Sequence, residues 1–149
     1  MQGVETGLTL GPFSGLSLRG SYTYLDFDVA GPPGSPDTLL RRPHNRMQTT
    51  VRYRRERVLR GDDEIDINAA VDFVGRRKDL EPTTFATVDH GSYTIAGLGL
   101  TYARPLASVL VKRLALFVRV LNLSDENYDE VLGFKSPPVH FIAGTNLTF

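Results

Sequence analysis

The sequence predicts an all-β chain: about seven antiparallel strands forming a membrane-spanning wall with one apolar and one polar face. Three observations carry that expectation. Segment after segment alternates apolar and polar residues with a period of two. The connections alternate short and long, so strict strand succession puts every long loop at one end. Aromatic residues gather at both ends of the alternating segments and leave the middles aliphatic.

In chain order, Val4–Leu10 opens with a weak alternation. Leu16–Tyr24 is clear: Leu16, Leu18, Gly20, Tyr22 and Tyr24 alternate with Ser17, Arg19, Ser21 and Thr23. Met47–Tyr53 sets Met47, Thr49, Val51 and Tyr53 against Gln48, Thr50 and Arg52. Ile65–Phe73 sets Ile65, Ile67, Ala69, Val71 and Phe73 against Asp66, Asn68, Ala70 and Asp72. Thr94–Tyr102, Leu114–Val120 and Phe141–Phe149 follow less strictly. Successive side chains of a strand point to opposite faces, so each segment reads as a half-apolar strand, and no segment carries a convincing helical period.

The short links are "GPFSG", "RERVLRGDDE" and "ARPLASVLVK"; the long ones are "DFDVAGPPGSPDTLLRRPHN", "GRRKDLEPTTFATVDHGS" and "NLSDENYDEVLGFKSPP". Long structureless links are rare in compact soluble domains. Outer-membrane barrels have this asymmetry, with short periplasmic turns and long extracellular loops. With the long loops up, Phe13, Tyr53, Tyr102 and Phe149 form a lower aromatic rim, and Tyr22, Tyr24, Phe73 and Phe141 an upper one. Amphipathic rings settle at the headgroup level. On the polar face, Ile95, Phe117 and Leu121 break the pattern, which a packed lumen would explain.

Composition excludes more than it selects. With 17 basic and 17 acidic residues the chain has no net field to attract nucleic acid, and with no cysteine it has neither disulfides nor thiolate metal sites. No apolar run reaches the length of a transmembrane helix, which leaves a barrel open. "MQGVETGLTL" has neither basic nor apolar signal-peptide regions. Two other architectures fit the alternation: a soluble lipocalin-like barrel binding a ligand, and a small structural membrane barrel with an eighth strand from "ASVLVK".

Chemistry-bearing motifs are few. His44, His90 and His140 lie in or beside the long loops and share no metal-ligand spacing. "DENYDE", Asp125 to Glu130, has oxygen ligands but not the periodicity of a calcium loop. "GLGL", Gly97 to Leu100, lies mid-strand with no helix following, so its glycines suit bending or close backbone approach. "RRP", Arg41 to Pro43, and "RRKD", Arg76 to Asp79, read as solvated loop charges or as contacts to anionic ligands. No nucleophile–base arrangement can be assembled. The expectation is no enzyme, no cofactor and no metal.

The end of the chain is more specific. "VRVLNLSDENYDEVLGF" followed by "SPPVHFIAGTNLTF" resembles the closing segment of TonB-dependent outer-membrane receptors. The residues that carry the resemblance are Asn122, Leu123, Asp125, Tyr128, Gly133, Phe134, Pro137 and Phe149. "LLRRPHN", Leu39 to Asn45, is similar to the cobalamin-receptor-like branch, whereas "SPPVH" replaces a common Pro-Gly-Arg. Gly144, Leu147 and Phe149 resemble the outer-membrane assembly signal, with Ile142 where a polar residue is usual.

The resemblance implies that residues 1–149 are the C-terminal part of a larger barrel of about 22 strands, lacking the plug domain, the signal peptide and about fifteen strands. It implies uptake of a cobalamin or siderophore (iron-chelate) complex across the bacterial outer membrane. It implies as partners outer-membrane lipid, the rest of the barrel and plug, the TonB complex and the barrel assembly machinery. Asn122 and Asp125 are expected to stop the strand and fix a turn, and Gly133 to take a backbone angle closed to other residues. Tyr128 is expected to place its ring at the membrane surface. The motif is then architectural, and substrate contacts fall to the long loops without assigned residues.

Overall fold

The structure, a computed structural model, describes residues 2–27, 39–59 and 61–149. The chain runs β1 (Gln2–Phe13), β2 (Leu16–Asp26), β3 (Asn45–Glu56), β4 (Glu64–Val74), β5 (Arg77–Leu80), β6 (Thr87–His90), β7 (Tyr93–Pro105), β8 (Arg113–Leu121), β9 (Asp129–Val131), β10 (Phe134–Lys135) and β11 (His140–Thr148). The seven expected strands form one antiparallel sheet in the order β1-β2-β3-β4-β7-β8-β11. Two of the long links carry hairpins of their own, β5–β6 and β9–β10, and so are not structureless. The centre of the first long link, 28–38, lies outside the described residues. The segment "ASVLVK" is a turn between β7 and β8 and supplies no eighth strand.

Register makes the two faces continuous. One row of partners crosses the whole sheet: Leu10, Leu18, Val51, Ala69, Leu98, Val120 and Phe141. Because paired residues share a face, each half-apolar strand adds one stripe to a single apolar surface. That surface is uncovered: Val4, Leu8, Val51, Leu98, Leu116 and Phe141 are all exposed. Among the described residues the buried apolar set is only Phe27, Val74 and Ala103. A soluble sheet would hide its apolar face against another layer. Here that face is left for another solvent, as a membrane wall requires.

The opposite face is held by charge. Arg52 Nε donates to Asp66 at 2.8 and 3.0 Å, Arg54 Nη2 to Glu64 at 2.6 Å, and Gln48 Nε2 to Asp72 at 2.7 Å. Gln48 and Asp72 are directly opposed, whereas the two arginine pairs are diagonal, since Arg52 sits opposite Asn68 and Arg54 opposite Asp66. Arg113 reaches Glu64 from β8 at 3.6 Å and ties a third strand into the ladder.

Phe117 explains a glycine. It sits opposite Gly144 on the polar face, and a β-carbon there would lie 2.6 Å from Phe117 Cζ. Arg119 stacks its guanidinium 5.4 Å from the same ring centre. Gly144→Ala is therefore expected to lower the stability of the assembled sheet by ~1–3 kcal/mol through overpacking. The thermal midpoint of the folded band in unheated electrophoresis measures this. Adding Phe117→Leu should restore most of the loss, and a double mutant as unstable as Gly144→Ala alone would refute the packing account.

Candidate functional site

At the long-loop end, β8 stops at an abrupt turn. Asn122 is 2 % exposed and adopts φ 51°, and Asp125 adopts φ 50°, left-handed angles that Asn and Asp tolerate better than most residues. Asn122 Nδ2 donates to the carbonyls of Glu126 (2.9 Å) and Pro137 (3.2 Å), and Asn122 Oδ1 accepts from Glu126 N–H at 2.9 Å. Leu123 N–H donates to Ala96 O at 2.8 Å, stitching the turn to β7, while the Leu123 side chain stays exposed. Asp125 Oδ1 accepts Val139 N–H at 2.9 Å, just before β11 begins. One buried amide and one carboxylate thus satisfy backbone groups of both arms of the link.

Tyr128 corrects the expectation of a ring at the membrane surface. It packs on Tyr93, ring centres 4.5 Å apart, and lines a crevice above the polar face. Both rings are half-buried, and the stacking contact adds to the area they bury. Gly133 takes φ 85°, and a β-carbon there would lie 2.9 Å from Pro82 Cγ, so the closing link also abuts the β5–β6 hairpin. Phe134 follows with its side chain exposed. At the chain end Leu147 and Phe149 lie exposed on the apolar side, whereas Gly144 faces the polar side beneath Phe117.

The loops are locked by two residues that sequence reading left among solvated charges. Asp79 is fully buried and accepts Arg41 Nε at 2.9 Å, Leu132 N–H at 2.9 Å and Leu80 N–H at 2.8 Å. It therefore joins all three long links. Burial raises its pKa, but the hydrogen bonds from Leu132, Arg41 and Leu80, with the Arg41 charge, outweigh it and bring the carboxyl down to about 2. Arg77 is 4 % exposed and donates to the carbonyls of Gly91, Asp129 and Glu130, with its guanidinium 5.2 Å from the Tyr93 ring centre. Both sit on one side of β5, two residues apart, and that spacing was the signal available in "RKD".

The other candidates resolve locally. His44 stacks on Phe27 at 4.6 Å and donates from Nδ1 to Leu25 O. His140 Nδ1 donates to Pro138 O at 2.9 Å. His90 lies 3.7 Å from Asp79, and its pKa is lowered by burial first and by Arg77 next, against the pull of Asp79 and Asp129. Within "DENYDE", the Asp125 and Asp129 carboxylates are taken by Val139 N–H and Gly133 N–H. Among the described residues no group of three or more His, Asp or Glu is placed to hold a metal. In "GLGL", a β-carbon on Gly99 would meet the Asn68 side chain at 2.8 Å, which accounts for a small residue there.

Glu81 caps the next turn in the β5–β6 link, accepting from the Thr83 and Thr84 hydroxyls and backbone, and its carboxyl falls to about 2. Glu81→Gln is expected to raise hydrogen exchange at Thr83 and Thr84 about 2- to 10-fold at neutral pH, a neutral amide being the weaker acceptor. Unchanged exchange there would show that the carboxylate does not hold the turn.

Beneath the locked loops lies a crevice of about 310 Å³ between the loop roof and the polar face. Ile95 and Leu121, two of the three residues that break the polar pattern, both line it beside Tyr93 and Tyr128, together with Arg46 and with Asp72, the cross-strand partner of Ile95. Apolar and polar side chains thus share one lining, the mixture that small-molecule sites use.

No curated protein matches this chain. The family model described as "TonB dependent receptor-like, beta-barrel" matches residues 1–123, most of the sheet up to the first residues of the closing motif. A match over that share of the chain, on a sheet with one uncovered apolar face and one ion-paired face, places it: the chain belongs to the TonB-dependent receptor β-barrel family.

Proposed function

We propose that this wall serves an outer-membrane transporter that takes up a cobalamin or iron-chelate complex with energy supplied by the TonB complex. The observation that supports it best is the pairing of an uncovered apolar face with a polar, ion-paired face beneath one locked cluster of long loops. The loops and the crevice under them are the ligand-gripping surface of this reading. Ile95, Leu121, Tyr93 and Tyr128 meet the solute's apolar parts, and Arg46 and Asp72 its polar groups.

β1 and β11 each have one partner strand among the described residues, so each offers a second edge. Unpaired backbone groups in hydrocarbon cost several kcal/mol each. In this proposal those edges pair with the rest of a larger barrel holding a plug, and β11 with Gly144, Leu147 and Phe149 is what the barrel assembly machinery reads. Asn122, Leu123, Asp125, Tyr128, Gly133 and Phe134 form the architectural closing motif.

Single cysteines at Leu18 and Arg19 test the wall. The chain has no other cysteine, so each label reports one face. Quenching by lipid-attached quenchers is expected at Leu18 and not at Arg19. Equal water exposure at both sites would end the membrane reading. Uptake of labelled cyanocobalamin and of ferric chelates, in cells lacking or carrying the receptor, tests the solute class.

A further inference from the structure

The apolar face carries two arginines, and both lie toward the short-turn end. Arg55 sits opposite Ile65, and Ile65 opposite Tyr102, so Arg55 faces the apolar side. Arg104 sits opposite Leu114 on the same side, two residues past Tyr102. Each follows a lower-rim aromatic by two residues, as Tyr53-x-Arg55 and Tyr102-x-Arg104. Both are exposed, and among the described residues neither has an ion pair or a side-chain hydrogen bond.

Acidic residues are absent from this part of the face. Its one acidic strand position is Asp26, opposite Gln2 at the far, long-loop end. Of the acids near the short turns, Glu64 serves Arg54 and Arg113, and Asp63 accepts from Val58 N–H, Leu59 N–H and the Tyr102 hydroxyl. Glu56 sits opposite Glu64 on the polar face, and Asp62 lies in the turn itself.

Register fixes the depth of the pair. Arg55 is level with Tyr102 along the hydrogen-bond rows, and Arg104 is two residues lower, two strands away. Two strand spacings are about 10 Å and two residues about 7 Å. The line joining the arginines is thus inclined by roughly 35° to those rows, which is the strand tilt of a membrane barrel. In a tilted wall both arginines therefore sit at one depth, just beyond the aromatic rim, about 12 Å apart at the backbone. Beyond them, the turns expose apolar side chains that water does not favour: Val109 is 97 % exposed, and Leu59 and Leu110 are also exposed.

We propose that Arg55 and Arg104 bind the phosphodiester headgroup of an anionic phospholipid in the periplasmic leaflet, with Leu59, Val109 and Leu110 resting in the interface around it. The site rests on the membrane-wall reading. Two unpaired guanidiniums on long apolar stems, at one depth and with no acid on the strand face around them, match a phosphate in charge and geometry. The aromatic rim above them fixes the height, since such rings anchor at the headgroup level.

The test takes the protein as assembled in the outer membrane and transfers it to phosphatidylcholine vesicles. A fluorophore is placed on Ile67→Cys, between Tyr53 and Leu100 on the apolar face. A second variant carries it on Leu18→Cys, away from the arginines. Each is quenched by brominated phosphatidylglycerol and, separately, by brominated phosphatidylcholine at the same mole fraction. At Ile67 the anionic lipid is expected to be enriched about tenfold, since each basic residue at the surface adds attraction. Leu18 should see both lipids alike, and Arg55→Gln with Arg104→Gln should equalise them at Ile67. Quenching at both labels without preference at Ile67 would leave the wall in the membrane and overturn the lipid site. Absence of quenching at either label would overturn the membrane wall and the site with it.

Discussion

Asn122→Ala is expected to open the closing turn and lower its local stability by about 4 kcal/mol. Three side-chain hydrogen bonds vanish at a site that is 2 % exposed, leaving the Glu126 and Pro137 carbonyls and the Glu126 N–H without their partner. Each such loss is worth about 1 kcal/mol or more, and alanine at a left-handed angle adds about 1 kcal/mol. Hydrogen exchange at the Glu126 and Leu123 amides reads the opening directly. Asn122→Gly separates the two contributions, since glycine accepts the φ of 51° at no cost and should recover only the last of them. Asn122→Asp keeps the acceptor for Glu126 N–H but sets a carboxylate against two carbonyl oxygens, so it should stay close to the alanine variant. Wild-type protection in Asn122→Ala would mean that the turn is held by the strands alone.

Replacing Asp79 by alanine is expected to uncouple all three long links at a cost of about 3 kcal/mol. Leu132 and Leu80 N–H are left without an acceptor, at about 1–3 kcal/mol each. Arg41 is half exposed and adds little, because water screens its ion pair. Exchange should rise together in residues 39–44, 77–90 and 129–135, while the sheet below stays protected. Asp79→Asn keeps one acceptor oxygen and should lose about half as much.

The same carboxylate gives the loops an acid limit. Its folded pKa of about 2 lies below the ordinary 3.8, so the open loops bind the proton more readily. The stabilisation is complete above the ordinary value and is lost as pH falls through 3.8 towards 2. His90 acts in the same direction at milder pH. Its pKa is also lowered, so protonation below its ordinary 6.5 favours the open state. Loop protection should thus fall in two steps on acidification, the lower of which disappears in Asp79→Ala. A single step unchanged by that substitution would refute the linkage.

The legible and illegible parts of this chain divide by the range of the interactions. The seven strands could be read because a half-apolar strand writes its faces as a two-residue period, with no need to know its neighbour. Asn122, Asp125 and Gly133 stood out because their residue types suit particular backbone angles, a property of single residues. Tyr128 could not be placed that way: whether a ring goes to the membrane surface or onto Tyr93 depends on which loop folds over it. Asp79 and Arg77 resembled ordinary loop charges for the same reason, since their partners come from Arg41 and from residues 52 and 53 positions later. Of the three apolar exceptions, Ile95 and Leu121 could be ascribed only to a packed lumen in general, and the structure sets them in one crevice.

By itself, then, the sequence determined the strands, their order, and which face of each is apolar, because alternation and turn residues act within a few positions of themselves. Only the tertiary structure decided what joins the loops, where Tyr128 packs, and that Arg55 and Arg104 share the apolar face two strands apart. Those outcomes depend on strand register and loop docking, in which a buried hydrogen bond or a shared face couples residues that the sequence leaves far apart.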